Sequence, residues 1–357
     1  MPPISVMLKP ASALCNLQCR YCFYHDLAKH RESYSYGMMS LATLENVLQK
    51  AFSYADGDRV YLSFQGGEPT LCGKDFFAFA AEGIKRFRGK LEVELALQTN
   101  ATLLDDETIE LLARYDYLVG VSIDGPPALN ALRLDRNGNP TSEATLRNAK
   151  RLLERGVRVN ILCVVTPEVA RNIVEVYRYF VDLGFRNLQF IPCLKPFGTK
   201  HSRHCLTAKQ YSDYLLDLFR CYHADFRAGQ YVSVRQLDNF VRRAHGLPAD
   251  QCGQNGHCSR QFVVEGDGSV FPCDFYCLDE YRLGNINDTD TDFGRLSHHP
   301  KALAFLQEST VLPERCKQCP YLQLCGNGCK RERLDLDCCQ GHKRLFAHAL
   351  PYLKAMS

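Results

Sequence analysis

The chain has 357 residues, 46% hydrophobic and 23% charged, with a formal net charge of +3. That length suits one large domain and a smaller one, and so small a charge, with no Lys/Arg run, argues against a nucleic-acid partner. No apolar stretch approaches a membrane span, and Met1-Pro2-Pro3-Ile4-Ser5-Val6 lacks the charged segment and apolar core of a signal peptide, so a cytoplasmic protein is expected.

The first two thirds alternate strand and helix. Ile4 to Leu8 is a short apolar run. Leu41, Leu44, Val47, Leu48 and Ala51 follow at helical spacing, with Ser40 as N-cap. Val60, Leu62 and Phe64 alternate as a strand does, and Phe76–Phe87 reads as a helix. Leu91, Val93, Leu95 and Leu97 alternate again, a helix over 105–114 follows, and 117–123 is an apolar strand. The helix over 142–155 stops at Gly156, and Val157, Val159 and Ile161 open a fifth strand. One helix is expected from Thr166, its cap, and Pro167 to a stop at Gly184. Residues 187–191 form a sixth strand, and an amphipathic helix runs from about 208 to 228. Six strand–helix units predict an α/β fold with a parallel sheet, either an open doubly wound sheet or a partial barrel.

After about residue 230 the pattern breaks. Residues 261–264, the turn Glu265-Gly266-Asp267-Gly268 and residues 269–271 predict a β-hairpin. The remainder is Cys-dense and rich in turns, as in segments held by metal rather than by a large core. The expected division is 1–230 and 231–357.

Eighteen Cys are the outlier. Cytosolic thiols stay reduced, so metal ligation is the expected use. Three lie within 15–22 and ten between Cys252 and Cys339; Cys72, Cys163, Cys193, Cys205 and Cys221 are scattered and read as small buried apolar residues. Cys15-x3-Cys19-x2-Cys22 can wrap one cuboidal cluster. A four-iron cluster normally takes four thiolates, so three leave one iron open to a substrate or cofactor. Tyr21 and Phe23 would shield it. The competing reading is a zinc knuckle completed by His25.

This segment resembles the cluster loop of the radical S-adenosylmethionine superfamily. The resemblance implies a six-strand partial (βα) barrel with the cluster loop after the first strand. It also implies that the open iron chelates S-adenosylmethionine, whose reductive cleavage yields a 5′-deoxyadenosyl radical. Gln65-Gly66-Gly67-Glu68-Pro69, after the second strand, resembles the family's GGEP motif, which makes Gly67 a backbone contact for the cofactor. By the same resemblance Tyr21, Ser122, Arg133 and Leu194 are cofactor-binding positions, Leu194 against the adenine.

The second Cys set resembles the SPASM extension of peptide-modifying radical enzymes, which carries two auxiliary four-iron clusters, three [4Fe-4S] clusters in all. The family's interleaved pattern implies Cys252, Cys258, Cys273 and Cys329 for one, and Cys316, Cys319, Cys325 and Cys339 for the other. Cys339 is preferred to Cys338, and Cys277 is left out. Two zinc sites are the alternative, Cys316-x2-Cys319 suiting half of one.

Lys9-Pro10-Ala11-Ser12, Cys22-Phe23-Tyr24-His25, the run from Phe64 to Thr70, Gln98-Thr99-Asn100, residues 261–265 and Cys273-Asp274-Phe275-Tyr276 resemble the anaerobic sulfatase-maturating enzymes. Ala101 stands where that family often has Gly. The resemblance implies oxidation of a Cys or Ser in a Cys/Ser-x-Pro-x-Arg sulfatase motif to Cα-formylglycine. It implies Asp274 as general base, auxiliary clusters taking the second electron, and a donor such as ferredoxin or flavodoxin. Tyr24 and Gln65 are candidate substrate contacts. A radical maturase of a ribosomally made peptide is the alternative, and a non-enzymatic metal-binding module a third reading.

Overall fold

The computed structural model describes residues 3–55 and 59–356, with backbone alone at 334 and 335. It divides into two compact units: Met1–Ser122 with Arg133–Val159 and Arg260–Phe305, and Ile123–Leu132 with Asn160–Ser259 and Leu306–Ser357. Each unit draws on chain from both sides of residue 230.

In the first unit, strands β1 (Ile4–Leu8), β2 (Arg59–Phe64), β3 (Glu92–Thr99) and β4 (Leu118–Ser122) lie side by side in parallel. Alternation decides their faces: Ile4, Val6, Leu8, Val60, Leu62 and Phe64 are all buried. Helices α1 (Phe23–Lys29), α2 (Leu41–Ala55), α3 (Gly73–Phe87), α4 (Asp106–Arg114) and α5 (Ser142–Glu154) fill the connections. Ser40 caps α2 as expected, its hydroxyl accepting from Thr43 N–H at 3.0 Å. The Phe64 ring lies 5.4 Å from Phe77 and 6.2 Å from Tyr117. Each such buried side chain contributes about 1.5–3 kcal/mol.

The other edge of β1 is closed by the C-terminal part of the chain. Strand β8 (Phe262–Val264) pairs parallel with β1, placing Leu8 opposite Val264. Strand β9 (Ser269–Phe271) returns antiparallel, and β10 (Gly284–Asn285) pairs with it. The predicted hairpin is present, and it is built into the same sheet as the first four strands.

In the second unit, β5 (Arg158–Val165), β6 (Asn187–Pro192) and β7 (Ser233–Val234) are parallel. The helix expected over 166–184 is two, α6 (Pro167–Arg171) and α7 (Ile173–Asp182). The break is at Asn172, whose side chain donates to the Glu168 carbonyl at 2.9 Å; such local bonds compete with helix continuation. Helix α8 (Ala208–Arg227) opens on a capping box of Thr207 and Gln210, and α9 (Arg235–Ala244) follows β7. A C-terminal helix, Cys339–Ala355, which the turn-rich reading did not anticipate, buries Leu345, Phe346, Ala349 and Leu353 against this unit. Phe346 meets the Phe240 ring at 4.9 Å.

Of the scattered cysteines, Cys163, Cys193 and Cys221 are buried as expected, whereas Cys72 and Cys205 are half-buried. No helix among the described residues is long and apolar enough to cross a membrane.

Candidate active site

The loop after β1 carries the first three cysteines, all half-buried. Burial pushes the Cys15 thiol up to about 12, opposed by the Leu17 N–H and reinforced by the charges of Glu68, Cys19 and Cys22. Cys15 therefore lies in the fields of both other thiols. Cys22 stands at the start of α1. Burial raises its pKa, while the N–H groups of His25 and Tyr24 and the charge of Arg133 lower it. Thiols gathered this way and disfavoured as lone anions suit an iron cluster, which binds them as thiolates. His25, the ligand a zinc knuckle would need, is exposed and lies 2.6 Å from the Tyr34 hydroxyl.

The glycine pair after β2 braces this loop. Gly67 N–H donates to the Ser12 carbonyl and Glu68 N–H to the Leu14 carbonyl, both at 2.8 Å. A Cβ on Gly67 would fall 2.0 Å from the Leu14 carbonyl oxygen, so no other residue fits. Glu68 is buried and accepts from Thr70 Oγ1 and Thr99 Oγ1 at 2.7 Å and from Asn100 N–H at 2.8 Å. Asn100 continues the chain of bonds to Asn16 at 2.9 Å. Ala101 holds φ at 61° in the left-handed region that glycine takes freely, a strain of about 1–2 kcal/mol for alanine. Asn148 donates to its carbonyl at 2.7 Å.

Arg133 is buried with its guanidinium 5.5 Å from the Tyr21 ring centre. The structure thus brings Tyr21, Cys22, Gly67 and Arg133 to the cluster loop. Ser122 ends β4, half-buried, and Leu194 lies two residues beyond β6 in the second unit. The Phe23 ring meets Tyr24 at 4.0 Å and Phe275 at 5.2 Å.

Asp274 opens a short 3-10 turn directly after Cys273, and its side chain is 11% exposed. Its Oδ2 accepts from the Tyr24 hydroxyl at 2.7 Å and from Gln65 Nε2 at 3.1 Å. Three segments far apart in the chain converge here: the start of α1, the end of β2 and the exit of the hairpin. Burial holds the Tyr24 phenol well above its usual range, with the Asp274 charge adding to it, so Tyr24 stays a donor. Asp274 Oδ1 is buried and accepts no hydrogen bond among the described residues. Lys9 Nζ forms an ion pair with it at 3.3 Å.

Arg31 was not singled out by sequence, and Lys9 and Glu265 were named only within family-like runs, without a role. Lys9 Nζ is 3.4 Å from Glu265 Oε1, and Arg31 NH2 is 2.9 Å from the same oxygen. Burial pulls the Lys9 pKa down, but the charges of Cys277, Glu265 and Asp274 outweigh it and hold it above the usual value. The available signal was a charged residue directly after each of two apolar strands, Leu8-Lys9 and Val264-Glu265.

In the second unit one cavity is lined by Cys316, Cys319, Cys325, Cys329, Cys338 and Cys339. Burial raises the Cys325 pKa, and the charges of Cys316, Cys319 and Cys339 raise it further. Asn327 ties two of these together: its N–H donates to Cys325 Sγ at 3.3 Å, and its Oδ1 accepts from Cys316 Sγ at 3.4 Å. Cys338 is raised by burial and then by Glu332, and it hydrogen-bonds Tyr211 on α8. Burial pushes Cys329 up to about 12, with Glu332 and Cys252 contributing. Cys258 also feels the Cys252 charge after its own burial. Cys273 belongs to the first unit. Cys277 is buried beside Lys9, its thiol donating to the Cys273 carbonyl at 3.5 Å.

Residues 10–180 match the Radical SAM superfamily, and residues 252–320 match the iron-sulfur cluster-binding domain SPASM. A cysteine-type anaerobic sulfatase-maturating enzyme of Clostridium perfringens is 40% identical, covering 99% of this chain and 98% of the relative. The chain belongs to the anaerobic sulfatase-maturating enzymes. A serine-type member from Bacteroides thetaiotaomicron is 26% identical over 99% of this chain and 91% of its own. The solved structure of native anSMEcpe with bound AdoMet and Cp18Cys peptide superposes with a TM-score of 0.92, at 39% identity, covering 99% of this chain and 98% of that one. The α/β radical SAM fold with a SPASM extension, read from the sequence, holds. The enzyme is a radical SAM oxidoreductase that uses S-adenosylmethionine and iron–sulfur clusters.

Proposed function

We propose that the enzyme oxidises a sulfatase cysteine to Cα-formylglycine, with Asp274 taking the thiol proton. The observation that carries this reading is the Asp274 carboxylate, held on Oδ2 by Tyr24 and Gln65 and on Oδ1 by the Lys9 ammonium at 3.3 Å. A base must be ionised, held in place and within reach of the proton it takes. The cysteine preference is supported by 40% identity to a cysteine-type relative against 26% to a serine-type one.

When bound, S-adenosylmethionine and the clusters would supply hydrogen removal at the substrate Cβ and an exit for the second electron. Tyr24 and Gln65 keep the carboxylate from rotating. Loss of the Cβ hydrogen, the thiol proton and one electron leaves a carbon–sulfur double bond, which water converts to the aldehyde with release of hydrogen sulfide. Cys15, Cys19 and Cys22 would hold the radical-generating cluster. Tyr21, Gly67, Ser122, Arg133 and Leu194 would hold the cofactor.

Cys252, Cys258, Cys273 and Cys329 would hold one auxiliary cluster, and Cys316, Cys319, Cys325 and Cys339 the other. Support for Cys339 over Cys338 lies in its field on Cys316, while Cys338, which like Cys339 lies close to Cys325, is engaged by Tyr211. Cys339→Ala is expected to lose about four irons per chain and Cys338→Ala none; equal loss in both variants overturns the assignment. By chemistry rather than compactness, residues 1–230 serve the radical and 231–357 the auxiliary clusters. A ferredoxin or flavodoxin would deliver electrons, in the cytoplasm, where thiols stay reduced.

The test is anaerobic incubation of reconstituted enzyme with Cys-x-Pro-x-Arg and Ser-x-Pro-x-Arg peptides. Cα-formylglycine is expected from the cysteine form at a kcat/KM about tenfold or more above the serine form. A cross-linked peptide with no aldehyde would instead support the ribosomal-peptide reading.

A further inference from the structure

Lys9 and Glu265 occupy matching places. β1 and β8 run parallel with Leu8 opposite Val264, and each strand is followed by one charged residue. Lys9 N–H donates to the Val264 carbonyl at 2.8 Å, which fixes the two carboxyl ends together. Glu265 therefore faces Lys9 at 3.4 Å, and Arg31 reaches the same carboxylate oxygen at 2.9 Å. Arg31 is itself anchored, its Nε donating to the Cys277 carbonyl at 2.6 Å. From Glu265 the Lys9 ammonium extends to Asp274 Oδ1 at 3.3 Å and lies 4.6 Å from the centre of the Tyr24 ring.

The side chains of Lys9, Arg31 and Glu265 are 1%, 2% and 0% exposed. Withdrawing ions from water is costly, and a well-packed apolar set commonly does as well for stability. The two cations and two carboxylates balance in charge. They also tie together the segments that make the site: the end of β1, the chain after α1, and the hairpin exit that carries Asp274. The two oxygens of Asp274 are treated differently. Neutral donors fix Oδ2, whereas Oδ1 has a cation beside it and no hydrogen bond.

We infer that Lys9 is a positioning residue of the reaction: its ammonium, anchored by Glu265 and Arg31, pins the buried Oδ1 of Asp274 and so fixes the orientation of the carboxylate that takes the substrate proton. This rests on the reading of Asp274 as the base. Removing the ammonium leaves two carboxylates facing one guanidinium, and Asp274 loses the charge that sets its orientation.

The experiment compares Lys9→Met, Lys9→Gln and Lys9→Arg in the anaerobically reconstituted enzyme with a Cys-x-Pro-x-Arg peptide. Iron content, 5′-deoxyadenosine and formylglycine are measured. Lys9→Met and Lys9→Gln are expected to lower kcat for formylglycine by about 100-fold. Peptide KM should change less than about threefold, and cofactor cleavage and iron less than about twofold. Lys9→Arg is expected to recover at least about tenfold of the lost kcat, because it keeps the charge. Normal formylglycine turnover in Lys9→Met overturns the inference. So does loss of iron and cofactor cleavage in step with formylglycine in the uncharged variants, which marks a folding residue. Asp274→Asn, run alongside, separates the two readings. If that variant turns over normally the base assignment fails; if it is inactive beside an active Lys9→Met, only the Lys9 inference fails.

Discussion

Asp274→Asn is expected to lower formylglycine formation by about 10³-fold while 5′-deoxyadenosine production stays within about twofold of the parent enzyme. Asparagine keeps the shape of the side chain, so the site should still assemble. Its oxygen can accept from Tyr24 or Gln65, as Oδ2 does now. Its amide cannot take a proton, and the position next to Lys9 is left without a counter-charge. Hydrogen removal at the substrate is then no longer coupled to thiol deprotonation, and the cofactor is consumed without product. Chromatography of 5′-deoxyadenosine and mass spectrometry of the peptide read the two outcomes separately. Formylglycine formed at the parent rate would remove Asp274 from its role.

Cys22→Ala has the larger effect on the cofactor itself. It should abolish 5′-deoxyadenosine formation, with iron falling by about four per chain. The Cys22 sulfur takes N–H bonds from Tyr24 and His25 and sits in the field of Arg133. Cys72, the next thiol along the chain, belongs to the turn before α3 and is half-buried there. The auxiliary clusters should survive, so optical absorbance of bound iron should fall in part and not vanish. Retained cofactor cleavage in this variant would exclude the three-cysteine ligand set.

The readable parts of the sequence were those where chemistry allows few residue types. A cluster loop demands thiols at short fixed spacing, and Cys15, Cys19 and Cys22 supply them. Gly67 was readable for a steric reason, now visible in the Leu14 carbonyl pressed against it. Strand and helix alternation over the first two thirds followed from periodicity, because each strand buries alternate residues. Long-range pairing was not readable. Nothing in the three residues of β8 says that they will lie along β1. The break at Asn172 was hidden because asparagine is tolerated inside a helical pattern until its side chain finds a carbonyl. The C-terminal helix was masked by its paired cysteines and by Pro351 within it. Lys9 and Glu265 stood in family-like runs without a readable role, since their value lies in each other and in Arg31.

The place of β8 has a consequence for how the enzyme is made. A ribosome releases β1 first and β8 about 250 residues later, an interval on the order of 10–50 s at ordinary synthesis rates. Through that time one edge of β1 has no neighbour, and an unpaired strand edge invites pairing with other chains. Asp274 and the partner charge of Lys9 also arrive only after that delay. A nascent chain halted before residue 262 should therefore stick to its neighbours, and co-translational chaperones have most to do on this protein just before its last hundred residues appear.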